Sequence, residues 1–68
     1  MTWVLHKGHR DRIINIAAFD EVHQQQCSII LIRGECLRIM EYNDEKEAGQ
    51  AFGYLMEAIK RGDHLVNI

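Results

Sequence analysis

Histidines, cysteines and arginines are the residues of this chain whose types and spacing could do chemistry. His6-x-x-His9-x-Asp11 places two imidazoles and a carboxylate within one short segment. These ligand types suit zinc or nickel. The segment is polar and contains Gly8, and no His-Glu-x-x-His or Cys-x-x-Cys spacing accompanies it. A solvated loop accounts for the same residues, so we assign no metal. Cys36 lies close in sequence to Arg33 and Arg38, whose charge would favour a thiolate. A small, half-buried strand cysteine accounts for it equally well. A cysteine–histidine–aspartate set can be drawn on paper, but no spacing selects one. Glu35, Glu41 and Glu57 show no paired-carboxylate spacing, and there is no glycine-rich phosphate loop. We therefore assign no catalytic residue and no cofactor, and we read the chain as a non-enzyme. Lys7, Arg10 and Arg12 form one small basic group, and Arg33 and Arg38 another. Nucleic-acid binding through Arg33 and Arg38 would need stacking aromatics beside them. The net charge of −2 and the pI near 6.0 also count against it.

The element that must organise these residues is a helix from Asp44 to Gly62. Asp44 is an N-cap residue, and Glu47 stands three positions later as a capping box requires. Acidic residues fill the first turn, and Lys60 and Arg61 fill the last, so both ends suit the helix dipole. Gly62 is placed to end the helix in the left-handed conformation. Ala48, Phe52, Leu55 and Ile59 form the expected apolar stripe, widened by Ala51, Met56 and Ala58. Glu57 and Arg61 are spaced to pair. Gly49 and Gly53 interrupt the pattern on one helical edge, each at roughly 0.8–1 kcal/mol relative to alanine. They allow close packing on the chain's own sheet or contact with a second helix.

Strands precede this helix. Met1–Leu5 reads as a first strand or an arm, and residues 6–12 as a loop. Ile13–Phe19 alternates like a strand. Val22–Gln26 is a weaker strand, and Ser28–Arg33 is a strong one, rich in β-branched residues. Gly34-Glu35 then fits a two-residue type II′ hairpin leading into Cys36–Tyr42. That register sets Arg33 opposite Cys36, Ile32 opposite Leu37, Leu31 opposite Arg38, Ile30 opposite Ile39 and Ile29 opposite Met40. It places Cys27 about 20 Å from Cys36 at ~3.4 Å per residue, too far for a disulfide. The tail Asp63–Ile68 reads as a last strand or a segment packed across the core. The expected fold class is α+β: a three- to four-stranded antiparallel sheet packed against one C-terminal amphipathic helix.

The hairpin has two apolar faces. One carries Ile30, Ile32, Leu37 and Ile39, and we expect it to meet the helix. The other carries Ile29, Leu31 and Met40, with Arg33, Cys36 and Arg38 among them. One helix cannot cover both: either the N-terminal arm with Trp3 and the tail fold over the second face, or another copy of the chain does. An antiparallel sheet with a single helix normally keeps one face polar, and contiguous exposed apolar surface marks an interaction site. Symmetric self-association is its commonest use. The expected interface residues are therefore Trp3, Ile29, Leu31, Arg38 and Met40, with Gly49 and Gly53 on the helix. A homo-oligomer is the leading reading. The alternative is a monomeric adaptor that takes a different protein at a sheet edge.

Sixty-eight residues make one domain, 1–68. A chain of this size buries only about 60% of the surface its unfolded form exposes, which also favours association. No apolar run reaches the ~20 residues of a membrane span, and Met1–Leu5 does not resemble a secretory leader. Two cysteines make no disulfide framework, so we expect free thiols in a reducing cytoplasm. The order of features resembles small uncharacterised bacterial and phage-type domains with a β-meander and a C-terminal helix. The carrying residues are Ile14-Asn15-Ile16, Gly34-Glu35, Tyr42, Asp44, Glu47, Ala48, Ala58-Ile59 and Gly62. The resemblance spans roughly Arg12–Ile68. Some such domains look like reduced pleckstrin-homology-like folds, which implies a sheet capped by the terminal helix and no activity.

Overall fold

The computed structural model describes residues 2–6 and 13–68. The fold is α+β, with two three-stranded sheets and one C-terminal helix. The strands are β1 (Trp3–Leu5), β2 (Ile13–Asn15), β3 (Glu21–Gln25), β4 (Ser28–Arg33), β5 (Cys36–Glu41) and β6 (Leu65–Asn67), and the helix α1 is Glu45–Arg61. β3, β4 and β5 form an antiparallel meander in that order. The second sheet has the order β2-β1-β6, with β1 antiparallel to β2 and parallel to β6. The single sheet expected from sequence is thus divided in two, and the tail is a strand.

The division has a local cause. Ile13–Phe19 does not continue as a strand: after Asn15 the chain turns through a 3-10 segment, Ile16–Ala18. The Asn15 side chain accepts a hydrogen bond from the Ala17 backbone N–H at 3.1 Å. Asparagine offers the backbone this alternative to a sheet ladder. The mixed sheet is laced by long-range bonds. Trp3 N–H donates to the His64 carbonyl (2.8 Å), Ile68 N–H to Leu5 (2.9 Å) and Ile16 N–H to Thr2 (3.0 Å). The Thr2 hydroxyl donates to the Asp63 carbonyl at 2.7 Å.

The β4–β5 register is the expected one, from Arg33↔Cys36 to Ile29↔Met40. Gly34 has φ 58° and Glu35 does not share the positive φ, as a type II′ turn requires. Gln26 opens the β3–β4 turn with φ 53°, an unfavourable conformation for a non-glycine residue. Its carbonyl accepts from Gln24 Nε2 (3.1 Å), and the same nitrogen reaches the Glu45 carbonyl (3.3 Å). The turn is thereby held to the start of the helix.

The α1 caps are as expected in part. Asp44 Oδ1 accepts from the Glu47 N–H at 2.7 Å. The reciprocal half of the box is absent: Glu47 Oε2 instead accepts from the Asn43 side chain at 3.4 Å. Gly62 is left-handed (φ 73°, ψ 30°), and Asp63 N–H closes the end on the Ala58 carbonyl at 2.9 Å. Arg61 pairs with Asp63 (2.9 Å) rather than with Glu57. The buried stripe is Ala48, Ala51, Leu55 and Ala58, while Phe52 is half-buried and Ile59 exposed. The face turned inward is therefore mostly alanine, which lets the helix lie close to the meander and to β6.

The largest correction concerns which face of the hairpin lies inside. Ile29 and Leu31 are fully buried and Met40 nearly so, whereas Leu37 and Ile39 are 62% and 54% exposed. Ile29, Leu31 and Met40 join Val4, Ile14, Ile16, Ala51, Leu55 and Ile68 in one core. The face expected to meet the helix is turned outward, and the expected interface anchors Ile29, Leu31 and Met40 are core residues. The reason lies in β3. Val22 pairs with Leu31 and lies on its face, while Glu21, His23 and Gln25 share the face of Ile30 and Ile32. Burying the second set would desolvate three polar side chains. The face of Val22 and Leu31 carries only one polar β3 side chain, Gln24 opposite Ile29, and its amide is bonded to the Gln26 and Glu45 carbonyls.

Candidate interaction surface

The outward face of the meander is built from alternate residues of three strands. β4 contributes Ile30 and Ile32, and β5 contributes Leu37 and Ile39 in the paired positions. Strand geometry puts these four on one side because successive side chains point to opposite faces. The β4 pair is half-buried and the β5 pair exposed. β3 adds Glu21, His23 and Gln25 to the same side. His23 Nδ1 and Glu21 Oε2 stand 2.9 Å apart in an exposed contact. The result is a patch of four aliphatic residues flanked on one side by polar groups. Among the described residues, β5 has no strand on its outer edge.

The mixed sheet presents a second outward face. Trp3 pairs with Leu65, and Leu5 with Ile13, and all four share the side opposite the fully buried Val4. Trp3 is 37% exposed, Ile13 57% and Leu65 56%. Trp3 is thus exposed, as an interface residue must be, but on a different sheet from the one expected. Asn15 and Asn67 interrupt this face.

The remaining expected residues fall as follows. Arg38 is exposed on the inner-face side of β5, beyond the packed part of the hairpin. Gly53 is exposed, and a Cβ there would meet nothing within 4 Å. A Cβ at Gly49 would touch only the end of the Gln24 side chain, at 3.6 Å. Neither glycine is needed for packing on the chain's own sheet. Cys36 is exposed rather than half-buried, and Cys27 is half-buried in the β3–β4 turn. Both are free thiols. His6 is buried, not solvated, and its ring centroid lies 5.1 Å from that of Tyr42. His9 and Asp11 lie outside the described residues. Among the described residues no cluster of metal-ligating side chains occurs, and no helix is long and apolar enough to cross a membrane.

Tyr42 joins the two halves of the molecule. It follows β5, and its hydroxyl donates to the Ile68 carbonyl at 3.1 Å. Burial, with a smaller contribution from the nearby Glu47 carboxylate, pushes its pKa up from 10.0 to about 12.

Ile30, Ile32, Leu37 and Ile39 were missed as surface residues because their hydrophobicity equals that of the opposite face. The signal that identifies them is the polarity of Glu21, His23 and Gln25, once the two-residue turn at Gln26-Cys27 fixes the β3–β4 register. Comparison with protein-family models, with curated proteins and with solved structures finds no match to the chain.

Proposed function

We propose that this protein is a non-enzymatic interaction module that associates with a second copy of itself through the outward face of the meander. The observation that carries the reading is the placement of Ile30, Ile32, Leu37 and Ile39 side by side on β4 and β5, with Leu37 and Ile39 more than half exposed. An apolar centre beside polar Glu21, His23 and Gln25 is the anatomy of a protein interface. A face of this kind is self-complementary under two-fold rotation, which stacks the two sheets about 10 Å apart. The small size of each core makes shared burial advantageous. Two free cysteines fit a reducing, cytoplasmic setting.

Light-scattering mass across a concentration series tests this. The wild-type chain is expected to approach twice 7.9 kDa. Leu37→Ser with Ile39→Ser is expected to leave a folded species of single mass. A wild-type chain that stays at single mass up to high micromolar concentration refutes self-association. That result favours the second reading, a monomeric adaptor whose partner adds a strand to the open edge of β5. A dimer undisturbed by the double substitution but broken by Trp3→Ser moves the interface to the mixed sheet.

A further inference from the structure

Beneath the end of the β4–β5 hairpin lies an open cleft of about 850 Å³, lined among others by Arg33, Arg38, Ile14, Phe19 and Met40. Arg33 pairs with Cys36, and Arg38 stands two residues further along β5, so both arginines share one face as diagonal neighbours. Such neighbours lie about 7–8 Å apart at their Cα atoms. Ile14 and Met40 belong to the buried core, and Phe19 packs against it. The cleft therefore has an apolar floor and two guanidinium groups at its mouth.

Among the described residues this charge has no partner: neither Arg33 nor Arg38 makes an ion pair or a side-chain hydrogen bond there. The Asp20 carboxylate is engaged elsewhere: its Oδ2 accepts from the Gly34 N–H at 3.0 Å. Asp20 N–H also donates to the Ile32 carbonyl at 2.8 Å. These two bonds tie the hairpin end to the segment before β3 and hold the arginines over the cleft. Guanidinium groups bind carboxylates and phosphates through paired N–H donors. Like charges held side by side also gain from an anion between them.

We propose that this cleft binds a small amphiphilic anion, a carboxylate or phosphate head on a short apolar tail. The head sits between Arg33 and Arg38, and the tail lies over Ile14, Phe19 and Met40. The cleft shares Leu37 and Ile39 with the proposed self-association face, but the anion site rests on Arg33 and Arg38 and not on that association.

Isothermal titration calorimetry of the full chain with octanoate, octyl phosphate, 1-octanol and acetate tests the proposal. At least one octyl anion is expected to saturate at one per chain, and the tighter of the two identifies the head group. Acetate and 1-octanol are expected to bind at least about tenfold more weakly, since each lacks half of the recognition. Arg33→Gln and Arg38→Gln are each expected to weaken the octyl anion about tenfold. Both side chains are exposed, so the variants should unfold at the wild-type temperature. Lys46→Gln, on the exposed start of α1, makes the same charge change and should leave binding unaltered. Absence of saturable octyl-anion binding overturns the proposal. So does equal binding by the Arg33→Gln/Arg38→Gln double variant, or 1-octanol binding as tightly as the anions.

Discussion

Ile29 and Ile30 are the same residue at adjacent positions of one strand, yet Ile29 is fully buried and Ile30 faces outward. Met40 and Ile39 repeat the contrast on β5, at 3% and 54% exposure. The two faces of this hairpin differ little in hydrophobicity and greatly in environment. One meets α1 and the core of the mixed sheet. The other leaves Leu37 and Ile39 more than half exposed. Apolar content alone does not select the inner face. The neighbouring strand does, because β3 can bury Val22 but not Glu21, His23 and Gln25 together.

The strongest way to break this comparison is to truncate one leucine on each face. Leu31→Ala should cost about 2–5 kcal/mol, as removal of a fully buried side chain does. Leu37→Ala should change stability by no more than about 0.5 kcal/mol at dilutions where the chain is monomeric. Urea unfolding of both variants, read at low protein concentration, gives the two numbers. Equal losses would mean that both faces are packed within one chain.

Tyr42→Phe sharpens the inner side of the contrast, because it severs the bond that joins the end of β5 to Ile68. Its expected cost at neutral pH is about 1 kcal/mol. The pH dependence has a definite sign. The folded pKa is raised from 10.0 to about 12. Below pH 10 both states hold the phenol proton and stability is unaffected. Between about pH 10 and 12 the unfolded chain releases it while the folded chain keeps it, so stability falls as pH rises. The phenylalanine variant should lack this component of the fall. Ultraviolet titration should likewise lose its component near pH 12.

A further test lies on the outer side of the helix. Gly53→Ala should stabilise the monomer by about 0.8–1 kcal/mol, through helix propensity alone, because the added methyl meets nothing. Thermal unfolding measures it. A gain in stability with unchanged association places self-contact on the sheet. A loss of association implicates the Gly49–Gly53 edge instead.

Much of the fold is legible in the sequence because its signals are local. Asp44 and Gly62 mark the helix ends, and Gly34 sets the hairpin register, each through hydrogen bonds within a few residues. The end of β2 was hidden because Ile13–Phe19 alternates correctly for a strand, while one side-chain bond from Asn15 diverts it. The mixed sheet was hidden because it joins β1 to β6 across most of the chain. No local pattern specifies that β1–β6 pairing. The apolar patch was inferred from the surplus of hydrophobic residues on the hairpin, but it was placed on the wrong side. The arginine cleft depends on Ile14 and Phe19 coming under the hairpin, which no spacing within residues 28–42 announces.

The central claim is that the face bearing Ile30, Ile32, Leu37 and Ile39 is where two copies meet. Isotope-filtered nuclear Overhauser spectroscopy on a mixture of labelled and unlabelled chains tests it most directly. The account predicts contacts between chains from the Leu37 and Ile39 methyl groups to those of Ile30, Ile32, Leu37 or Ile39 in the other copy. Contacts between chains confined to Trp3, Ile13 and Leu65 or to the Gly49–Gly53 edge, or none at millimolar concentration, would contradict it.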